Sequence, residues 1–560
     1  MMKDFIDCLF IGHNEMNFQE YEKRVREMGI HSGAYRDLNL NYIYLDNKPR
    51  SISEVYNMLC GSGGTPINLG ENFSAAAAYL GTFLNKRGLT FDYINSFQDE
   101  KEELSQKLEK ENILTIAIIT TLYISVFPIL EIMDYIKKYN RTAKVIIGGP
   151  FVASQVRSLT SDELEYMFKT IGADFFVNSS QGEAALVNII GALKNRLPVA
   201  GINNIYYKSG ETYTPTAFQR ENNRLSENMV DWDLFSQRVG AFVNVRTSIS
   251  CPFSCAFCGF PQHAGQYQTA PVDLIERELD KLARIDAVES INFIDDTFNV
   301  PAERFKQILR MMIRNREKKN YSFKWHSHFR CQFADRETVA LMKESGCEGV
   351  FLGIESGSPR ILKNMNKAVD IEKYRSGIGL LEKAGIITFG SFIIGFPGET
   401  GDTVKETVRF IEESGLDFYR AQLWYCDPMT PIWKEREIYG VENSRFEWSH
   451  ATMDAKQASG IVEHLFLSVA NSTWIPQYNF EFDGLFHLLH RGIAREQAEA
   501  FIKSFNKGVK EKLANPLQTD VRGEVLKALK KACREDMAGE IPLERGENLI
   551  HRYGSEFDFD

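Results

Sequence analysis

The chain has 560 residues, of which 44% are hydrophobic and 25% charged, with a formal net charge of -10. That length exceeds what one core organises, so two or three domains are expected from an ordinary globular composition. The acidic balance argues against nucleic acid as the main partner, and no run approaches the ~20 apolar residues that span a bilayer.

The N-terminus, Met1-Met-Lys-Asp-Phe-Ile-Asp-Cys8, is charged where a signal peptide needs an apolar core. Phe5 to Ile11 is an apolar run ending in Gly12, the profile of a buried parallel strand. The run Gly61-Ser-Gly-Gly64 lacks the Lys-Ser/Thr of a phosphate loop and reads as a plain loop. Asn72 to Lys86 is Ala-rich and helical, stopped by Gly88; Phe91 to Phe97 is the next strand. The charged stretch from Gln98 to Asn112 reads as a helix with a solvated face. Ile113–Ile119, Ala143–Ile147 and Asp174–Val177 follow as strands, with a helix over Pro128–Tyr139 and another opened by Gly182-Glu183. Strands alternating with helices predict a doubly wound, Rossmann-like parallel sheet over residues 1–215, with a ligand at the carboxyl ends of its strands.

No G-x-G-x-x-G follows the first strand, so a dinucleotide is poorly supported. The strand ends instead resemble the cobalamin-binding fold. Thr120-Thr121-Leu122 stands where that family carries S-x-L, followed by Ser125, and Gly148-Gly149 stands at its glycine pair. Gly182 and Glu183 complete the candidate set. The family's D-x-H-x-x-G signature is absent, and His13 stands alone after the first strand. A flavodoxin-like domain without a cofactor is the alternative.

In the middle of the chain stands Cys251-Pro-Phe-Ser-Cys255-Ala-Phe257-Cys258, a C-x3-C-x2-C spacing. Three thiolates can hold three irons of a cubane and leave the fourth open to a substrate, whereas an electron carrier supplies four. A structural zinc site also wants four ligands, and the next candidates are His263 and Cys331; a disulfide pair is the other alternative. Cys8, Cys60, Cys331, Cys347, Cys426 and Cys533 are scattered, as free thiols of a reducing cytoplasm, and leave no set for an auxiliary cluster. Six strand–helix units are read over residues 216–438, with strands at Phe242–Ile249, Ile291–Asp295, Phe323–Arg330, Gly349–Ile354, Ile387–Ile394 and Phe418–Tyr425. Asp295-Asp296, Glu355-Ser356, Gly395-Phe-Pro-Gly-Glu399 and Cys426 fall at strand C-termini, where a parallel barrel carries its chemistry. Asp295 or Asp296 capping the next helix, and Gly395–Gly398 as a simple turn, are the alternatives. Cys426 is a candidate hydrogen donor, or a buried thiol.

Over residues 1–435 the chain resembles the radical S-adenosylmethionine (SAM) superfamily, in its cobalamin-binding methyltransferase branch. The resemblance implies a [4Fe-4S] cluster on Cys251, Cys255 and Cys258, with SAM chelated to its open iron and Phe257 beside the adenine. It also implies Asp295-Asp296 at the SAM amino group, Glu355 and Ser356 at the ribose, and Gly395 to Glu399 near the adenine. A narrower resemblance, to the PhpK-like P-methyltransferases, is carried by Asp7-Cys-Leu-Phe-Ile-Gly-His-Asn14, Ser32-Gly-Ala-Tyr-Arg-Asp-Leu38, Tyr79-Leu-Gly-Thr-Phe-Leu84 and Thr120-Thr-Leu-Tyr-Ile-Ser125. Arg36, Arg246 and Arg330 are the isolated cations available to a phosphinate, or else packing arginines.

The expected reaction is radical methylation of an unactivated carbon or a phosphinate phosphorus in a small molecule or peptide, with an external donor of flavodoxin or ferredoxin type. A cyclase or rearranging oxidoreductase with the same cofactors is the first rival, and a redox or cobalamin sensor the second. Residues 439–560 read as a helical substrate-capping domain, with 3.6-residue spacing in Ala455–Asn471 and Arg495–Lys512. Trp448, His450, Trp474 and Tyr478 are candidate lid residues, or core.

Overall fold

The computed structural model describes residues 5–61, 66–68, 72–110, 112–123, 125–319, 321–367, 369–478 and 480–533. Of the glycine run at 61–64, all but Gly61 lies outside them. The first sheet is built on Phe5–His13, flanked in parallel by Phe91–Ser96 and Asn112–Ile119. Lys144–Gly148 and Phe175–Val177 continue it in parallel, and the Ile205–Ser209/Thr212–Pro215 hairpin closes that edge antiparallel. The chain leaves Phe5–His13 toward one neighbour and later returns on the other side, so the switch in strand order opens a crevice there. The central strand is buried on both faces, which is why it reads as a continuous apolar run. Leu9 and Ile11 enter one core with the helices Phe127–Tyr139 and Ser161–Ile171. Cys8 and Phe10 enter a second core that runs without interruption into the rest of the molecule.

The second sheet has eight parallel strands. Its six inner strands are Phe242–Val245, Ser290–Phe293, Lys324–Phe329, Cys347–Glu355, Ile387–Ile394 and Phe418–Leu423, adjacent in chain order. Two short strands extend it. Asn72–Phe73 pairs with Phe242–Val245, and Thr473–Trp474 pairs with Phe418–Leu423. The helix expected from Asn72 therefore starts at Ala75, capped by Ser74, because the two residues before it are committed to the second sheet. Ser248–Ile249, expected to continue the first barrel strand, instead pairs antiparallel with Gln268–Thr269.

The helix Glu481–His490 plugs the lower end of this barrel. Asp483 Oδ1 bonds His326 Nε2 at 3.1 Å, and its Oδ2 accepts from Asn292 Nδ2 at 3.2 Å and Asn72 Nδ2 at 3.3 Å. Burial opposes the charge, yet His326 and its neighbours hold the Asp483 carboxyl below its ordinary range. Phe486 stacks on His326 at 4.3 Å and comes so close to Gly349 that a Cβ there would meet its ring at 2.6 Å. Trp448, Trp474 and His450 are buried and Tyr478 rests against Phe18 and Tyr21, so these residues are core and interface rather than a lid. Cys60 and Cys533 are joined by a disulfide with a Cα–Cα separation of 5.1 Å. This corrects the expectation that all the scattered cysteines are free, since the ends of the helices Ile52–Leu59 and Gly523–Ala532 meet there.

Asp483→Ala removes the acceptor shared by His326, Asn72 and Asn292 and should cost about 3 kcal/mol in chemical denaturation. Asp273→Ala, which breaks only an exposed i,i+4 pair with Arg277, should cost under about 0.5 kcal/mol. Equal effects would show that the plug carries no special stability.

Candidate active site

The cysteine loop leaves the first barrel strand through Thr247 and Ser248. Both backbone N–H groups donate to Asp295 Oδ1, at 2.6 and 2.9 Å, and the Thr247 hydroxyl donates to Oδ2. Arg304 holds the same turn from the carbonyl side, donating to Thr247 O at 2.7 Å and Ala270 O at 3.1 Å. Ser250 then sits at φ +66, a strained conformation for a residue with a Cβ. Beyond it Cys251 Sγ lies 3.5 Å from Thr297 Oγ1, Cys255 Sγ accepts from Arg330 Nη2 at 3.2 Å, and Cys258 Sγ accepts from Phe260 N at 3.4 Å. The second turn of the loop is cradled by residues 365–366. Ala256 N donates to Met365 O at 2.8 Å, and Asn366 Nδ2 to Ser254 O at 2.9 Å. Burial, with Cys255, Asp296 and Cys251 close by, pushes the Cys258 thiol up to about 11.

The other barrel-end residues divide into those that structure the mouth and those open to it. Asp295 is fully engaged with the cysteine loop, so its carboxylate is a clamp and not a ligand-facing group, whereas Asp296 lines the cavity. Burial first, then Asp295, pushes the Asp296 carboxyl up to about 7. Glu355, at φ +70, pairs with Lys367 at 3.3 Å, and that ammonium lies 5.8 Å from the Phe257 ring centroid. Ser356 is buried, its hydroxyl 3.2 Å from Thr407 Oγ1 and accepting from Ser358 N, which makes it a staple of the strand end. Gly395, at φ +90, donates to Glu399 Oε2 at 2.5 Å and accepts from His450 Nε2 at 3.1 Å. Its missing Cβ makes room for Trp448, which a Cβ would meet at 2.5 Å. Burial pushes the Glu399 carboxyl up to about 8.

Cys426 is corrected as a hydrogen donor. It is completely buried, its Sγ faces Asn443 O at 3.9 Å, and burial pushes its thiol up to about 12. Its neighbour Tyr425 is the residue that reaches the cavity. His263, the nearest candidate for a fourth zinc ligand, has its Nδ1 2.7 Å from Arg157 Nη1.

One cavity of about 1600 Å³ joins the carboxyl ends of both sheets. It exceeds the ~300–1,000 Å³ that encloses one drug-sized ligand. On the first sheet Thr121, Ser125, Gly148, Gly149, Gly182 and Glu183 line it. Gly149, at φ +119, opens the helix Pro150–Ser158; a Cβ there would lie 2.8 Å from Thr120 Oγ1. Thr120 itself is buried, its hydroxyl donating to Gly148 O at 2.8 Å, and Leu122 is 62% exposed without lining the cavity. His13 also lies off the cavity, packed 5.8 Å from the Tyr123 ring, with burial lowering its imidazole to about 4. On the barrel side the wall is Arg246, Ser248, Ile249, Ser250, Phe260 and Asp296.

Residues 245–411 match the radical SAM superfamily. The chain carries a radical SAM domain. Similarity extends beyond that segment to an uncharacterized methyltransferase of Pyrococcus horikoshii, 27% identical over 55% of this chain and 65% of the relative. It extends also to an anaerobic magnesium-protoporphyrin IX monomethyl ester cyclase of Cereibacter sphaeroides, 23% identical over 67% of this chain and 62% of the relative. Both matches span slightly under two thirds of the relative's own length. The architecture is that of TsrM from Kitasatospora setae, a radical SAM methyltransferase whose structure holds cobalamin and a [4Fe-4S] cluster. The TM-score is 0.60 at 15% identity, covering 92% of this chain and all of that one.

Sequence reasoning missed Lys367 and residues 365–366 around the radical SAM domain's cysteines, because a lone Met-Asn-Lys after a helix has no pattern of its own. Arg246, Glu183 and Asp296 were each named from the sequence, but the buried Glu278 was missed. The Arg246 guanidinium lies 4.1 Å over the Tyr79 ring and influences Glu183, Asp296 and the buried Glu278. Burial pushes Glu278 from the usual 4.5 up to about 8, although Trp232 Nε1 donates to it at 2.9 Å. Between those values the unfolded chain has lost this proton and the folded chain keeps it, so stability falls as pH rises and the loss levels off above about 8. Glu278→Gln should flatten that decline, measured by urea unfolding at pH 5 to 8. The same slope in both proteins would remove Glu278 from the pH dependence.

Proposed function

We propose that this protein is a cobalamin-dependent radical SAM methyltransferase acting on an unactivated carbon or a phosphinate phosphorus of a small molecule or peptide. The observation that carries the reading is the single cavity bounded by the cysteine loop's Ser248–Ser250 on one side and the Gly148-Gly149 and Gly182 cradle on the other. The residues present fit both cofactors. Cys251, Cys255 and Cys258 supply three thiols on one loop, which suits three irons of a cubane better than the four ligands of a structural zinc site. Gly148, Gly149 and Gly182 line the cavity at the strand ends without side chains of their own, which suits a bulky cofactor lying against backbone there.

Bound there, the cluster with SAM supplies a 5'-deoxyadenosyl radical and cobalamin supplies a methyl group. The chain's own part is placement. Asp295 and Arg304 fix the cysteine loop, and Glu355 with Lys367 braces Phe257 at its side. The Gly395–Glu399 turn is held by His450 and backed by Trp448. Asp296 and Arg246 give the cavity polar lining, and Tyr425 and Phe446, in edge contact at 5.0 Å, line it as well. An external one-electron donor of flavodoxin or ferredoxin type completes the system.

The similarity to the magnesium-protoporphyrin cyclase favours a second reading, in which the same cofactors close or rearrange a ring without methyl transfer. The two are separated by their products. After anaerobic reconstitution with iron, sulfide and cobalamin, SAM and a low-potential reductant should yield both 5'-deoxyadenosine and S-adenosylhomocysteine, quantified by mass spectrometry. Cys255→Ala should abolish 5'-deoxyadenosine, and Cys426→Ala should leave both products unchanged. 5'-Deoxyadenosine alone, with cobalamin bound, would move the assignment to the cyclase reading.

A further inference from the structure

Arg330 ends the strand Lys324–Phe329 with its side chain directed at the cysteine loop. Its Nη2 donates to Cys255 Sγ at 3.2 Å, and its guanidinium carbon lies 3.6 Å from the Phe253 ring centroid, a ring carried by the same loop. The backbone is clamped as well. Arg330 N donates to Asn299 Oδ1, and Asn299 Nδ2 returns a bond to Arg330 O, both at 3.0 Å. Nη1 is buried without a hydrogen-bond partner among the described residues. A guanidinium cannot shed its charge, and an unspent buried donor is costly unless a group is there to receive it. Lys367, the other cation beside the loop, differs in that it is neutralised by Glu355.

We propose that Arg330 is a positioning residue for the iron–sulfur cluster, donating an N–H···S hydrogen bond to the Cys255 thiolate and raising the cluster's reduction potential. The inference rests on the assignment of Cys251, Cys255 and Cys258 as cluster ligands. Reduction adds one electron from the external donor to the cluster and forms or breaks no covalent bond. The added negative charge is shared with the cysteine sulfurs, so a fixed cation and donor at one of them stabilises the reduced state more than the oxidised one. Arg330 thereby lets a modest physiological donor load the electron. A guanidinium that merely packs on Phe253 would leave the potential where it was.

The test uses the full chain reconstituted anaerobically with iron and sulfide, without SAM. Iron content and the EPR spectrum of the reduced sample establish the cluster first. An EPR-monitored redox titration then compares wild type with Arg330→Gln. The variant should shift the one-electron equilibrium about tenfold toward the oxidised cluster, ~59 mV more negative. An unchanged potential in a variant with full iron content overturns the proposal. Wild-type protein grown with 15N-arginine supplies a second reading that does not depend on the variant folding. Pulsed EPR of its reduced cluster should detect coupling to a guanidinium nitrogen, and its absence overturns the proposal equally. A wild-type chain that assembles no cluster would sink the ligand assignment, and this inference with it.

Discussion

Asp295 is the carboxylate on which the mouth of the barrel depends. It is buried and takes both N–H groups and the hydroxyl of the Thr247-Ser248 turn. In a low-dielectric interior an unpaired carboxylate is expensive, so the turn and the acid each require the other. Arg304 fixes the carbonyl of Thr247, which leaves the chain little freedom as it enters Ser250 and the first cysteine. The strained Ser250 is tolerated because its neighbours are held on both sides. The loop carrying the three cysteines is thereby held in one course.

The five parallel strands of the first sheet and the six inner strands of the second were legible because each is a short apolar run bounded by turn residues, and the polar residues at their C-termini follow from parallel topology alone. What those polar residues do was much less legible. Asp295 and Asp296 are adjacent and chemically identical, yet in the loop after the strand Ser290–Phe293 one is a clamp and the other lines the cavity. Glu355 and Ser356 divide in the same way, one in an ion pair with Lys367 and the other stapled to Thr407. A motif places the pair, but only the strand register and the partners around it assign the individual roles. Cys426 shows the same limit, since the residue before it reaches the cavity and it does not.

The two-residue strands Asn72–Phe73 and Thr473–Trp474 were beyond sequence reading for a different reason. Neither has enough residues to show a period, and each gains its backbone partners from a strand distant in sequence. They matter because they bind three regions of the chain into one sheet. Asn72 also reaches Asp483 on the plugging helix, so a residue of the N-terminal segment, one of the barrel and one of the C-terminal segment share a single buried carboxylate.

The same fusion recurs on the far edge of the barrel. Arg420, buried on the strand Phe418–Leu423, donates to Asp37 at 2.6 Å and Asn41 at 2.9 Å and lies 4.3 Å over the Trp474 ring. Lys512, on the helix Arg495–Ala514, donates to the carbonyls of Asn39 and Tyr42, each at 2.7 Å. Burial holds its ammonium well below the ordinary lysine value, so those carbonyls and the Tyr42 ring, at 3.2 Å, must compensate the charge. The segment inserted after the first strand therefore braces the barrel's edge by satisfying two buried cations, Arg420 of the barrel strand through the Asp37 and Asn41 side chains and Lys512 of the C-terminal helix through its backbone carbonyls. Motion that opened the cavity by lifting the C-terminal segment would strand Lys512 without its carbonyl partners. The loop around Asn443 and Arg445, both exposed and at positive φ, lines the cavity without any such buried cation, though Arg445 is tied to Cys426 by two backbone hydrogen bonds.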